Sequence, residues 1–310
     1  MSEPDAGSPR QLTRSMRILL VVAGALVFLA GVQLFVFPLR TAHYFSWTIA
    51  PPMTAVFLGA SYWSALAFEW SAAAQRRWAD ARIAIPTVFV FTTLTLVATL
   101  IHIDKFHFGT AFGAGTRAVT WAWLAIYVAV PIIMVVLWVV QTHRAGTEPL
   151  RVRMLSAPMR VTVSLQAVLL LGIGAALFIS PLRAASWWPW PLTPLTGRAI
   201  GAWCIGLGVA AAHARWENDV RRVQPAAFAF LAFGALQLVS LLRHGGDLKW
   251  DRAPAWIYLA FLTSAAVIGT VVLVQGRGLG ADVVPVVDLT AQGRAANDAK
   301  STELSSRVDS

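Results

Sequence analysis

The residues best suited to chemistry form a short polar cluster between two long apolar runs, at His102, Asp104, Lys105 and His107. Imidazole nitrogens and a carboxylate are ligands that zinc accepts, so the two histidines and the aspartate are candidate metal ligands. Their spacing matches no established metal motif. A phosphate-binding loop, a dinucleotide fingerprint, HExxH and a nucleophile elbow are all absent. The sequence therefore identifies no cofactor and no catalytic residue.

A second polar cluster lies at Arg243, His244 and Asp247, followed by Lys249. It resembles the first cluster in pairing aspartate with lysine, but it lacks a second histidine. Two interpretations stay open. The clusters are ligand-binding sites, with a metal as one candidate ligand, or they are loops closed by ion pairs beside a membrane, where loop charges commonly serve anchoring.

The elements that must position these clusters are membrane helices. Hydrophobic residues make up 57% of the chain and charged residues 13%, against about a quarter charged in an ordinary soluble domain. A net charge of +10 would suggest nucleic acid in a soluble protein, but here the basic residues separate long apolar runs. We expect the lipid bilayer as partner and no nucleic acid. The single cysteine, Cys204, allows neither an internal disulfide nor a thiolate metal site.

Apolar runs of about 20 residues can cross a bilayer as helices. The sequence predicts an all-α membrane protein with eight spans, at roughly 16–37, 52–69, 84–102, 118–140, 161–180, 195–213, 225–242 and 254–274. Polar tails over residues 1–15 and 275–310 are predicted to be largely disordered.

Lysine and arginine are distributed unevenly between the two sets of loops. One set, which includes both tails, carries 17 of the 25 basic residues, and the other carries 8. The positive-inside rule then places both termini in the cytoplasm and predicts a multi-pass protein of the plasma (inner) membrane.

The sequence also indicates an internal duplication. Met16-Arg17 recurs as Met159-Arg160, and Pro38-Leu-Arg as Pro181-Leu-Arg. Both pairs have the same separation, so a whole span aligns without a gap. The sequence predicts two four-helix repeats, 16–140 and 161–274, joined by a cytoplasmic linker at 141–160. Because four spans return the chain to its starting side, the repeats are parallel.

Small residues on the second helix of each repeat predict close packing at the repeat interface. These residues are Gly59, Ala60, Gly197, Gly201, Gly206 and Gly208. On the loops, Asp80 with Arg82 and Asp219 with Arg221 are expected to form ion pairs within each repeat, and the alternative is a docking surface for a partner.

No charged residue falls in the middle third of any predicted span, and Glu69 is expected to reach the interface from a span end. Three functions follow as hypotheses. The repeats enclose a site for a small neutral or lipidic molecule that is bound or transported; the protein is a non-catalytic accessory or scaffold; or it is a membrane enzyme with a metal at the His/Asp cluster. The sequence favours a non-enzyme and leaves a protein partner or homo-oligomer open.

Overall fold

The computed structural model of the protein describes residues 7–277, and within that range it is helical, with no β-strand. Eight long helices follow one another: α1 Arg14–Gly31, α2 Pro52–Ala74, α3 Ala84–Ile101, α4 Ala114–Thr142, α5 Ala157–Ile179, α6 Pro194–Glu217, α7 Gln224–His244 and α8 Ala253–Gly276. A π-helical turn, Val32–Val36, extends α1. Short helical turns occupy the connections at Pro38–Arg40, Thr41–Tyr44, Trp78–Ala81, Ile103–Lys105, Pro181–Ala184, Ala185–Trp187 and Gly245–Asp247.

Seven of the eight long helices in the described range are long and apolar enough to cross a membrane. The prediction of an all-α membrane protein is therefore confirmed at the level of seven helices. The exception is α2, which carries Ser61, Tyr62, Ser64 and Glu69, all of them buried. A helix surrounded by protein can carry polar side chains that a lipid-facing helix cannot, because its neighbours rather than lipid contact them.

One end of the bundle gathers the segments 7–13, 75–83, 143–156 and 218–223, and we call it the N-terminal face. The Leu12 amide donates to the Arg76 carbonyl at 2.8 Å, and the Val220 amide donates to the Arg153 carbonyl at 2.7 Å. Residues 7–13 thus form an extended, hydrogen-bonded segment where the sequence predicts disorder. Residues 1–6 and 278–310, to which the rest of that prediction applies, lie outside the described residues.

The other end of the bundle, which we call the opposite face, gathers the segments 37–51, 102–113, 180–193 and 245–252. Here the His107 amide donates to the Ser46 carbonyl, and the Lys249 amide donates to the Pro189 carbonyl, each at 2.9 Å. Each long helix runs from one face to the other.

Helix packing is crosswise between residues 14–142, the first half, and residues 157–276, the second half. Within the halves α1 packs on α2, and α5 on α6. Between them α2 packs on α7, and α3 on α6, so the second helix of each half contacts the third helix of the other. The four helices at this junction form the most buried part of the bundle.

The small residues predicted at the repeat interface have two kinds of environment. A Cβ on Gly206 would lie 3.2 Å from the Phe91 side chain on α3, across the junction. Gly59 instead lies against the backbone of Phe35, and Gly201 against that of Gly174, each within its own half. The same holds for Gly197 beside Pro181 and Gly208 beside Leu171, while Ala60 is fully buried on α2.

Candidate functional site

An apolar groove of about 330 Å³ lies between α5 and α8, near the opposite face. Its walls include Leu169 and Ile173 on α5 and Ile257 on α8. Leu169, Ile173 and Ile257 are all exposed at the bundle surface. The groove therefore opens sideways, toward the position of the lipid, rather than toward either face. The remaining lining residues are Phe57, Leu170, Gly172, Ala176, Leu177, Ala184, Trp187, Trp188, Pro189, Cys204, Phe233, Pro254, Tyr258 and Phe261.

The groove exists because α5 and α8 meet halfway along their length and then separate. The Gln166 amide nitrogen donates to the Ser264 hydroxyl at 2.9 Å, which joins the two helices near their midpoints. From there toward the opposite face, α5 presents Gly172, and a Cβ at this position would meet no heavy atom within 4 Å. The missing side chain leaves the space open.

Aromatic rings form the floor of the groove. Trp188 and Trp190 pack edge to face with ring centroids 5.0 Å apart, and Tyr258 lies 5.5 Å from Trp190. The Trp190 indole donates to the Thr54 hydroxyl at 2.9 Å, and the Tyr258 hydroxyl donates to Gln237 at 3.0 Å. These two polar atoms are satisfied, whereas the Trp188 indole nitrogen is buried without a hydrogen-bond partner. The other lining side chains give the groove mainly hydrocarbon and ring surface.

The rim of the groove carries a second kind of aromatic residue. Trp187 is 80% exposed and ends the short turn Ala185–Trp187 on the opposite face. Tryptophan at such a position suits the boundary between lipid tails and headgroups, because its ring is amphipathic. The groove thus runs from the boundary region into the hydrocarbon depth of the bundle.

The corresponding region of the first half is closed. Trp123 on α4 packs 5.2 Å from Phe45 and 5.1 Å from Trp47, and its indole donates to the Thr99 hydroxyl at 3.1 Å. Phe106 adds a third ring against Trp47. In the second half, Tyr258 rather than a tryptophan packs against Trp188 and Trp190. The phenol ring is smaller than the indole of Trp123 and leaves more space.

Glu69 departs from the expected position at the membrane interface. Its side chain is buried, with 3% of the residue exposed, and it lines a cavity of about 60 Å³ among α1, α2, α3, α4 and α6. Its Oε2 atom has no hydrogen-bond partner. The helix rotation that turns Glu69 inward cannot be read from its place near a span end.

The two histidines of the first polar cluster face different partners. His107 is 2% exposed, and its Nδ1 donates to the Phe45 carbonyl at 2.9 Å while Nε2 bonds the Thr48 hydroxyl at 3.1 Å. Burial lowers the pKa of His107, which favours the neutral ring, in which Nε2 accepts from the Thr48 hydroxyl. Both ring nitrogens are therefore occupied, and neither is free to bind a metal.

His102 contacts a basic residue of the second half. Its Nε2 bonds Nη1 of Arg198 at 2.7 Å. Burial, together with the charge of Arg198, lowers the pKa of His102. Asp104 and Lys105 pair with each other at 2.9 Å, and both side chains are largely exposed. The hydrogen bond from Lys105 lowers the pKa of Asp104.

Side chains of the second polar cluster form hydrogen bonds with backbone groups at helix ends of the first half. The Asp247 carboxylate accepts the Met53 amide at 3.0 Å, at the N-terminus of α2, where amides lack intrahelical partners. The Arg243 guanidinium donates to the Phe35 carbonyl at 2.7 Å and lies 5.0 Å from the Phe35 ring. His244 precedes the Gly245–Asp247 turn. These contacts support the interpretation of the clusters as closed loops.

Residues 7–277 contain no group of three or more His, Cys, Asp or Glu side chains placed to hold a metal ion. His102, Asp104, His107 and His244 thus do not converge, and the hypothesis of a metal enzyme gains no geometric support. Of the seven predicted ligand residues, His102, His107, Arg243 and Asp247 instead join loops or helix ends across the opposite face.

The ion pairs of the N-terminal face run between the halves, where the sequence predicts pairs within each repeat. Arg221 pairs with Asp80 at 3.3 Å, and Arg82 binds the Glu217 carboxylate through Nε and Nη2. Glu217, which is fully buried, also accepts from Arg222 at 3.0 Å. Glu148 of the linker also pairs with Arg82 and with Arg222. This cluster holds the halves together at one face.

Comparison with known proteins adds no family. No protein-family model matches the chain, and neither a curated protein nor a solved structure matches it significantly. The groove and the buried acid must therefore be interpreted from their own chemistry. Sequence reasoning missed both, although the run Trp187-Trp188-Pro189-Trp190 was a signal for an aromatic site.

Proposed function

We propose that the protein binds the apolar tail of a lipid-like molecule in the groove between α5 and α8, and acts as a membrane receptor or carrier for it. The observation that carries this proposal is the lateral opening of a hydrocarbon-lined groove of about 330 Å³. Ligand pockets commonly have about 300–1,000 Å³ and mostly apolar and aromatic walls. A neutral tail needs no charged partner, and the groove walls contain no charged side chain.

The position of the groove refines the hypothesis of a site between the repeats. Phe57 of the first half contributes to the floor, but the walls come from the second half alone. The junction of α2 with α7 and of α3 with α6 is packed, and ion pairs close it at the N-terminal face. We therefore place the ligand beside the junction rather than within it.

The test is a photo-crosslinking experiment in bilayer nanodiscs. A fatty acid with a diazirine at the end of its tail is irradiated with the protein, and the modified residues are mapped by mass spectrometry. We expect modification at Ile173 and Ile257. Ala176→Trp fills the groove and reduces this modification by about tenfold, which corresponds to about 1.4 kcal/mol of binding free energy. Val168→Trp, on the lipid-exposed surface of the same helix outside the groove, leaves it unchanged.

Equal modification of the Ala176→Trp and Val168→Trp variants would refute the groove as a specific site, because adventitious lipid contact does not distinguish them. Modification spread evenly over α1, α4, α5 and α8 would have the same meaning.

We infer further that the protein consists of two parallel four-helix repeats with eight spans, α2 included. The inference is supported by a similar hydrogen bond in each half, whose donors lie 142 residues apart in sequence (107 and 249) and whose acceptors lie 143 apart (46 and 189). His107 donates to Ser46 in the first half and Lys249 donates to Pro189 in the second. The crosswise packing, in which each second helix contacts the other third helix, has the symmetry expected for related halves.

The excess of Lys and Arg in one set of loops supports an inner-membrane location with both termini and the N-terminal face in the cytoplasm. Cysteine substitution at exposed positions tests this topology in intact cells. An impermeant maleimide is expected to label Ala50→Cys and Gly109→Cys but not Gly7→Cys, with Cys204 buried and silent. If only one of the variants Ala50→Cys and Gly109→Cys is labelled, α2 and α3 do not both span the membrane.

A scaffold without ligand transport remains a second candidate, because the packed junction between the halves favours it. Transport by alternating access needs one half to rock against the other. A carrier is expected to move a fluorescent fatty acid between leaflets of proteoliposomes. A scaffold is expected to bind it without accelerating that movement.

A further inference from the structure

Glu69 differs from every other buried acid in residues 7–277. The other three, Asp80, Glu217 and Asp219, each pair with an arginine or accept backbone amides. Glu69 forms no ion pair with a described residue, and its Oε2 atom lacks a hydrogen-bond partner. Its carboxyl group lines the cavity of about 60 Å³ in the interior of the bundle.

The wall of this cavity offers no cation. Ala23 and Val27 line it from α1, Val88 from α3 and Leu207 from α6, and α7 contributes Ala229. Thr87, Thr92 and Ser64 also line it, but their hydroxyls donate to carbonyls of their own helices.

The titratable group that lines the cavity beside Glu69 is Tyr127 of α4, whose hydroxyl bonds that of Tyr62 on α2 at 2.8 Å. Two basic residues on the surrounding helices have other partners. Arg17 of α1 donates to the Gln75 carbonyl, and His213 of α6 lies 3.3 Å from Glu217. Lining side chains of α3 and α7 are uncharged.

An ionised carboxylate as buried as Glu69 would lose its hydration without a compensating charge, and that loss is far larger than for a neutral acid. We propose that Glu69 is a proton-binding site: it holds a proton in the packed bundle and releases it when water reaches the cavity. About 60 Å³ exceeds the roughly 10–15 Å³ that one water molecule needs by this measure, so a few waters fit. The site is separate from the lipid groove and does not depend on it.

Infrared difference spectroscopy in nanodiscs tests the proposal. The difference between wild type and Glu69→Gln at neutral pH is expected to contain the carbonyl stretch of a protonated carboxylic acid, which shifts in D₂O. Glu148→Gln, which removes a half-exposed, ion-paired acid, is the control and should not remove this band. Glu69→Leu is a second neutral variant, in case the glutamine variant folds poorly.

Thermal unfolding gives an independent readout. Because the folded state would hold a proton that the unfolded state releases above the ordinary glutamate pKa of about 4.3, wild-type stability should fall relative to Glu69→Gln as the pH rises. Carboxylate bands in place of the acid band, or parallel pH profiles for wild type and both neutral variants, would overturn the proposal.

Discussion

The two halves of the bundle use the same helix order but fill their space differently near the opposite face. In the first half, Trp123 of α4 closes this region against Phe45 and Trp47. In the second half, α5 and α8 separate, and Tyr258 leaves a groove above Trp188. One half is built as a closed support, and the other as an open site.

The comparison teaches that a related arrangement of helices can specialise through a few side chains. The second half has the phenol ring of Tyr258 where the first half has the buried indole of Trp123. It also has a glycine at position 172 of α5, and together these residues leave a groove in place of a packed core. Packing of this kind is worth several kcal/mol when intact, because a buried aromatic side chain contributes both burial and ring contacts. The following predictions test whether the halves differ as described.

The largest effect is expected from Trp123→Ala. Trp123 is 7% exposed and contacts five aromatic rings, so its truncation should lower the free energy of unfolding by about 3–5 kcal/mol. Trp187→Ala, which removes an exposed ring at the groove rim, should change it by no more than about 0.5 kcal/mol. Thermal unfolding in detergent measures both. Equal losses would mean that the first half is no more closed than the second.

A smaller effect is expected at the glycines that set helix spacing. A Cβ at Gly59 would lie 2.5 Å from the Phe35 backbone nitrogen, so Gly59→Ala must push α1 from α2. Overpacking of this kind costs about 1–3 kcal/mol. Gly172→Ala meets open space in the groove and is the matched control. The comparison fails if the alanine at position 172 is the more destabilising of the two.

The smallest effect concerns the loops of the opposite face. Because burial lowers the pKa of His107 below its ordinary value near 6.5, the unfolded state binds the proton more readily, and stability is lost as the pH falls below about 6.5. His107→Gln should weaken this loss of stability in acid. The control His143→Gln, at an exposed position, should leave it unchanged. Thermal unfolding between pH 5 and about 7.5 measures the difference. An unchanged acid profile in His107→Gln would remove His107 as its origin.

Much of the fold can be predicted from sequence because long apolar runs have one structural solution in lipid. The predicted span at 84–102 corresponds to Ala84–Ile101, and that at 195–213 begins with Pro194. The crosswise packing could not be predicted in this way. Leu and Ile satisfy lipid and protein equally well, so apolar content does not specify which helix a face meets.

The candidate sites were hidden for the same reason. Ile173 and Ile257 look like lipid-facing residues in the sequence, and only their separation in space makes a groove. Glu69 lies near a helix end, and its inward direction depends on the rotation of α2. Asp80 and Arg82 were expected to pair locally, but each finds a partner from residues 217–221 because the linker brings those loops together.

Crosswise packing also has a consequence for synthesis. When the ribosome has completed α4, the faces of α2 and α3 that will contact α7 and α6 have no protein partner, because both partners are still unmade. Glu217 and Arg222 likewise reach the membrane surface after Arg82. The nascent first half must wait in the bilayer, so its final packing is completed late, once the last helices have been inserted.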